Sequence, residues 1–278
     1  METLDRKVRL AALIGTIQSA MSDFHDIKDE FRINCEDERL LGVSISGIMD
    51  CPLIAGGDKR VLNHLRGLVI SENRKWAKKL GIKASTSTTC VKPDGNTSVL
   101  YDTSPGVHGR YAPFYIRRLQ VQAGTPIANF ALASGIPSEP KIGDANTLIL
   151  SFPVKSPEGA VIQRERGAVA QLENWLAFKK EYTETNPSVT IMYRPEELHE
   201  MAEWLHRNQK HAVGLSFIPA DDHTYQQTPY EEITEDEYNR LVAEFPDVDM
   251  DSFWQWEAAE DTTDAAKNMA CVGGVCLI

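Results

Sequence analysis

Apolar side chains recur at helical spacing early in the chain. Leu10, Leu13, Ile14, Ile17, Met21 and Phe24 form one such series, and the pattern fades at Asp23, Asp26 and Lys28. This predicts an amphipathic opening helix. A second helix is predicted from about Asp58, just after Gly56-Gly57, to Leu80, with Gly81 suited to a left-handed C-terminal position. Val61, Leu65, Leu68, Val69 and Trp76 are its expected inward face. From Lys83 the texture changes. Residues 85–91 are rich in Ser, Thr and β-branched side chains and read as a strand, residues 99–101 as another short one. Residues 115–121 alternate, and residues 147–154 are a further strand candidate. Residues 165–182 return to helical spacing with Val169, Leu172, Trp175 and Leu176 on one side. A strand at 189–193 precedes Pro195 at a first helical position, with Leu198, Met201, Ala202 and Leu205 on one face. Residues 214–219 read as a buried strand. Thr234-Glu235-Asp236-Glu237 matches a capping box before Tyr238, Leu241, Val242 and Phe245. Strands alternating with helices of this length predict an α/β architecture, without internal repeats or low-complexity segments.

Composition narrows the class. With 278 residues, 42% of them apolar and 25% charged, the chain has room for one large domain or two small ones with a sizeable core. It contains no apolar run near membrane-spanning length, and Met1-Glu2-Thr3-Leu4-Asp5 does not resemble a signal peptide, which predicts a cytoplasmic protein without a membrane role. The net charge of −11 argues against a nucleic-acid surface, because counterion release needs clustered Lys and Arg. A small anion remains possible, since a local cradle of backbone N–H groups can override net charge.

The cysteines are Cys35, Cys51, Cys90, Cys271 and Cys276, an odd number that makes no disulfide framework. The last two stand apart. They flank Gly273-Gly274 close to residue 278, and glycine lets a chain fold back tightly enough to close a small disulfide ring. A dithiol of this kind can reduce a disulfide elsewhere by thiolate attack. The plainer reading is two unrelated thiols, and no further His or Cys nearby suggests a metal site. Asp247, Asp249, Asp251, Glu257, Glu260, Asp261 and Asp264 precede the pair with no Lys or Arg among them. Self-repulsion there predicts a mobile arm, with Trp254 and Trp256 as possible local anchors.

Lys92-Pro93-Asp94-Gly95-Asn96-Thr97-Ser98 lies between two of the strand candidates. Pro93 and Gly95 impose a turn. Asn96, Thr97 and Ser98 then offer side-chain donors and successive backbone N–H groups, as a phosphate cradle would, with Lys92 as a point charge. The same composition suits an ordinary turn, and the residues alone favour that reading.

An ordered series of segments changes the weighting. Arg39-Leu40-Leu41-Gly42-Val43-Ser44, Val91-Lys92-Pro93-Asp94-Gly95-Asn96-Thr97-Ser98, Ser104-Pro105-Gly106-Val107-His108 and Tyr115-Ile116-Arg117-Arg118 come first. Residues 152–160, Asn186-Pro187-Ser188-Val189-Thr190, residues 214–219, Pro229-Tyr230-Glu231-Glu232-Ile233 and the terminal cysteines follow. Together they resemble the adenosylcobalamin-dependent (class II) ribonucleotide reductases, the triphosphate reductase branch in particular, over nearly the whole chain. The resemblance implies a ten-stranded α/β barrel, of which this chain is the second half over residues 1–245, and an acidic mobile tail over 246–278. It implies that Gly95, Asn96, Thr97 and Ser98 bind the substrate's phosphates. It further implies that Cys271 and Cys276 recycle an active-site disulfide and that adenosylcobalamin starts the radical chemistry.

Two departures qualify this. The family's loop has Ser where this chain has Asp94, whose carboxylate would repel phosphate unless it turns away or meets a cation. The family's Asn-Pro-Cys-Gly-Glu finger loop is absent, and Ile33-Asn34-Cys35-Glu36 imitates it with the wrong spacing. Cys35 then reads as structural or incidental, Cys51 and Cys90 as packed small hydrophobes. The expected partners are a chain carrying the N-terminal half with the finger-loop cysteine, a ribonucleoside triphosphate, and a thioredoxin-like reductant. The expected activity is oxidoreductase, exercised only with that partner. The alternatives are a non-catalytic regulatory or binding remnant and a free-standing thiol-disulfide protein, though the latter would be expected to carry Cys-x-x-Cys near a first βαβ unit.

Overall fold

The computed structural model describes residues 1–220 and 226–257. In chain order the first elements are α1 (Glu2–Ser19), α2 (Asp29–Glu38), α3 (Lys59–Leu80), α4 (Thr97–Leu100), β1 (Phe114–Gln122), α5 (Pro126–Ala133) and β2 (Ser138–Lys141). They continue with β3 (Asp144–Lys155), α6 (Ala168–Glu181), β4 (Val189–Tyr193), α7 (Leu198–Arg207), β5 (Leu215–Pro219), β6 (Tyr230–Glu232), α8 (Glu235–Glu244) and α9 (Trp254–Glu257). The chain is α/β, as its alternation predicts, and divides into two compact units. One takes residues 1–110 and 158–222, the other residues 111–157 and the described part of 223–278.

The first unit is built on α3. The Asp58 carboxylate caps it by accepting the N–H groups of Arg60 at 2.8 Å and Val61 at 3.1 Å, and Gly81 ends it at φ 70°. Leu62, Leu65 and Val69 of α3 share a core with Ile48, Ile54, Leu172, Trp175, Phe178, Ile191 and Trp204. Leu62 takes the position expected of Val61, which is only partly buried, and Trp76 stays outside the core beneath the Lys79 ammonium, 4.2 Å from its ring. The two-stranded sheet β4-β5 is parallel, with Val189 opposite Leu215 and Tyr193 opposite Pro219.

Five expectations are corrected in this unit. The opening helix buries Val8, Ala12 and Thr16 rather than the Leu10, Ile14 and Ile17 stripe. Ala12 is small enough for close packing, and the Thr16 hydroxyl accepts from Asn73 Nδ2 of α3 at 3.1 Å while donating to the Ala12 carbonyl at 2.6 Å. Ile33, Asn34 and Cys35 lie in a helix, α2, where no element was expected. Residues 85–91 form no strand beyond a single parallel bridge between Val43 and Thr89. The N–H groups of Thr88 and Thr89 go instead to the Glu184 carboxylate, at 2.5 and 3.3 Å. Residues 99–101 are not a strand: α4 and its end occupy them, because the turn at Asp94 directs the Ser98 N–H onto the Asp94 carbonyl and starts a helical ladder. The strand at 214–219 exists as β5, but it is not buried. It pairs only with β4 among the described residues, leaving Phe217 and Ile218 exposed.

The second unit is an antiparallel sheet in the order β2-β3-β1-β6. Its long pair runs from Phe114 opposite Lys155 to Gln122 opposite Thr147. On this sheet's unit, Thr125 caps α5 with its hydroxyl, Pro126 occupies the first turn, and Thr234 Oγ accepts the Glu237 N–H at 3.2 Å to start α8. Phe253 and Trp256 pack edge-on against Phe130, at 5.2 and 6.3 Å between ring centroids, whereas Trp254 is exposed. Among the described residues, no helix is long and apolar enough to cross a membrane.

Candidate functional site

The loop at 92–97 borders a cavity of about 420 Å³ together with Ser44 and Ser46. Lys92, Gly95, Asn96 and Thr97 all line it and are exposed. Among the described residues, the backbone N–H groups of Gly95, Asn96 and Thr97 have no acceptor, the side chains of Asn96 and Thr97 have no partner, and Lys92 makes no ion pair. Three free amides, a free ammonium and two side-chain donors on one small cavity suit an oxyanion. Ser98 is placed differently: it is buried beneath the turn, and its N–H donates to the Asp94 carbonyl at 3.3 Å.

Asp94 adopts φ 62°, the left-handed conformation that reverses the chain here. Its carboxylate accepts a hydrogen bond from the Ser46 hydroxyl, which also lies 3.0 Å from Thr103 Oγ. Ser46 thus ties the entrance of the turn to its exit, and one carboxylate oxygen is engaged by a hydroxyl instead of being left toward an incoming anion.

The exit is held again from below. Arg110, 3% exposed, donates Nε to Asp50 Oδ1 at 3.2 Å and Nη2 to Asp50 Oδ2 at 3.0 Å, a bidentate pair. It also donates to Asp102, which lies two residues beyond α4 in the left-handed region at φ 46°. Burial alone would push the guanidinium down, but the bonds and charges of Asp50 and Asp102 outweigh it and raise its pKa. Asp50 Oδ2 accepts the Ser104 N–H at 2.7 Å, and Ser104 Oγ accepts the Met49 N–H at 3.0 Å. Beyond it Gly106, at φ 52°, passes so close to the loop that a Cβ would sit 2.5 Å from the Lys92 carbonyl oxygen. His108 closes the segment. Its Nδ1 lies 3.2 Å from the Pro105 carbonyl and its Nε2 accepts the Thr190 N–H at 3.0 Å, and burial lowers its pKa, so it is a neutral structural imidazole. Sequence reading found the loop but missed Ser46, Asp50, Asp102 and Arg110.

The cysteines separate clearly. Cys90 is half-buried with its sulfur against Gly42, and burial raises its pKa against the opposing influence of Lys92 and Ser44, which favours the thiol over the thiolate. Cys51 packs at the edge of the core and Cys35 sits half-buried in α2. Cys271 and Cys276, with Gly273 and Gly274, lie outside the described residues. Among the described residues, no cluster of three or more His, Cys, Asp or Glu side chains can hold a metal ion.

Three cavities among the described residues measure about 410, 460 and 420 Å³. The one at the loop presents hydroxyls, amides and an ammonium, donors that suit an anion.

No family model matches the chain. An adenosylcobalamin-dependent ribonucleoside-triphosphate reductase of Lactobacillus acidophilus is 26% identical over 275 residues, 87% of this chain and 37% of that protein. The counterpart from Lacticaseibacillus paracasei is 25% identical over 95% of this chain and 36% of its own length. A probable enzyme of the same description from Dictyostelium discoideum is 28% identical over 64% of this chain and 24% of its own length. The chain therefore spans only about a quarter to two fifths of the curated relatives it matches. A crystal structure of a B12-dependent, class II ribonucleotide reductase superposes with a TM-score of 0.78 at 22% identity, over 93% of this chain and 40% of that one, a likeness of fold. In sequence and in fold, this chain resembles the adenosylcobalamin-dependent, class II ribonucleotide reductases.

Proposed function

We propose that this chain is the C-terminal portion of a ribonucleotide reductase, the second half of a ten-stranded α/β barrel over residues 1–245 followed by a redox tail over 246–278. In this reading Gly95, Asn96 and Thr97 hold the phosphates of a ribonucleoside triphosphate, with Ser98 supporting them. The observation that carries it is the set of unpartnered amides at Gly95, Asn96 and Thr97 beside the unpaired Lys92, in a chain whose relatives are named for acting on ribonucleoside triphosphates. Phosphate oxygens accept the three N–H groups and the Thr97 hydroxyl, and Lys92 supplies the compensating charge. Ser98 acts from beneath by fixing the turn.

Adenosylcobalamin, the cofactor for which the relatives are named, supplies the radical that opens the reaction when bound to the assembled enzyme. In this reading the loop cavity takes phosphate, and no residue of this chain is given a role at the cofactor. A partner chain provides the cysteine whose thiyl takes the 3′ hydrogen atom from the ribose, breaking C–H as S–H forms, and this chain alone with adenosylcobalamin and a dithiol should give no turnover. Each cycle leaves an active-site disulfide. The thiols of Cys271 and Cys276 reduce it to two thiols, becoming a disulfide themselves, and a thioredoxin-like reductant restores them.

Titration of the chain with inorganic tripolyphosphate tests the loop. Lys92→Ala and Thr97→Ala should each weaken binding, since a charge-assisted hydrogen bond contributes about 1.5–3 kcal/mol. An unchanged affinity in the double variant would move the phosphate site elsewhere.

A further inference from the structure

Two opposite charges stand at the loop cavity without meeting each other. Lys92 and Asp94 both line it, together with Ser44, Ser46, Asn96 and Thr97. Among the described residues neither makes an ion pair, and Asp94 is the one carboxylate on the cavity's wall. Its two oxygens are differently placed. Oδ2 accepts the Ser46 hydroxyl, which is itself tied to Thr103 Oγ at 3.0 Å. Oδ1 has no partner among the described residues and is not sealed from solvent. The turn that carries both charges is braced. The Lys92 N–H donates to Ser44 Oγ at 3.0 Å, and the Asp94 carbonyl accepts the Ser98 N–H at 3.3 Å.

A polyphosphate arriving here meets one cation and one anion from the side chains. Lys92 attracts it, Asp94 repels it, and the free amides contribute only partial charges. A carboxylate on the wall of an anion site is a liability unless it meets a cation. Magnesium supplies one. It takes oxygen ligands, keeps several of its waters, and is commonly held by one or two carboxylates with substrate phosphate oxygens instead of by an all-protein cage. An open carboxylate oxygen beside phosphate donors is half of that set. The other half has to arrive with the ligand, because no group of three or more His, Cys, Asp or Glu among the described residues can hold a metal by itself.

We propose that the loop takes its polyphosphate as a complex with a divalent cation, Asp94 Oδ1 coordinating the cation while Lys92, Gly95, Asn96 and Thr97 hold phosphate oxygens. This rests on the reading of the loop as a phosphate site. The carboxylate's two oxygens then divide the work: Oδ2 stays on Ser46, which fixes the group, and Oδ1 meets the metal. The loop thereby prefers a metal-complexed polyphosphate to the free anion.

Calorimetric titration of the full chain with inorganic tripolyphosphate tests this, once with magnesium in saturating excess and once with a chelator present. The magnesium complex should bind about tenfold or more tightly than the free anion, since a repulsive charge contact becomes an attractive one. Asp94→Asn is the second arm. Asparagine still accepts from Ser46 and tolerates the left-handed φ of 62°, so it keeps the turn and loses the charge. It should bind free tripolyphosphate more tightly than the native chain does and lose most of the preference for the magnesium complex. The comparison within the native chain stands whether or not the variant folds. The inference is overturned if the native chain binds free tripolyphosphate as tightly as its magnesium complex, or if Asp94→Asn retains the full preference. In the first case, binding that still depends on Lys92 and Thr97 leaves the phosphate reading of the loop standing. A chain that binds neither form loses both.

Discussion

Arg110 holds Asp102 by two bonds, Nη1 to the carboxylate and Nη2 to the backbone carbonyl, each 2.5 Å long. Asp102, two residues beyond α4, is thereby fixed through a guanidinium that also grips Asp50. Arg110→Met should destabilise the first unit by about 3 kcal/mol or more, because it strands the partly buried Asp50 without its cation. Arg110→Lys keeps the charge but loses the bidentate fork. It should cost less stability in urea unfolding, yet still raise the exchange rates of amides 98–103 and weaken tripolyphosphate binding. If Arg110→Lys leaves both loop exchange and binding unaltered, the clamp has no bearing on the loop.

Gly106 supplies a second, purely steric test. At φ 52° with the Lys92 carbonyl 2.5 Å from where its Cβ would stand, alanine cannot enter without moving backbone at the loop's base. Gly106→Ala should lower stability by about 1–3 kcal/mol and weaken tripolyphosphate binding. Gly95→Ala, where a Cβ meets nothing within 4 Å, should be tolerated by the fold. Calorimetric unfolding and titration of the two variants give the comparison.

Glu184 predicts a pH dependence. Its carboxylate accepts the Thr88 N–H and hydroxyl, at 2.5 and 2.9 Å, and lies 3.4 Å from Arg66. Burial would raise its pKa, but these partners overcome that and hold it below the ordinary value. A depressed folded-state pKa contributes stability that is fully present above the unfolded value, about 4.3, and is lost as pH falls through the folded one. The urea midpoint should therefore drop as the solution is acidified below about pH 5. Glu184→Gln should lower the midpoint at neutral pH and flatten that acid slope. An unchanged slope would assign the acid sensitivity to other carboxylates.

Under the proposed function, Cys271 and Cys276 should affect turnover and not folding. In the assembled, pre-reduced enzyme, changing both to Ser should leave the first turnover nearly intact. Thioredoxin-driven multiple turnover should collapse, and a small dithiol that reaches the active site directly should restore much of the rate. Thiols that merely pack would lower all three activities together. Product of the first turnover, measured against the steady-state rate with each reductant, separates these outcomes.

Local chemistry was legible wherever a short stretch of chain settles it. Asp58 and Gly81 bracket α3 because a cap and a left-handed terminus depend on adjacent residues. The alternation at 115–121 became β1, and Thr234 starts α8 as its sequence predicts. Pro93, Asp94 and Gly95 marked a turn for the same reason, and the phosphate reading of that turn came from the ordered resemblance. Tertiary structure decided what depends on distant partners. Residues 85–91 have strand propensity, yet Glu184, far along the chain, takes the amides of Thr88 and Thr89. The periodic stripe of α1 was visible, but the side that packs was chosen by Asn73 and the close fit of Ala12, leaving Leu10, Ile14 and Ile17 outside. Nor does any local pattern bring Asp50, Asp102 and Arg110 together. Hydrogen bonds within a turn are set by neighbours in sequence, whereas a buried charge finds its partner only when the chain has closed around it.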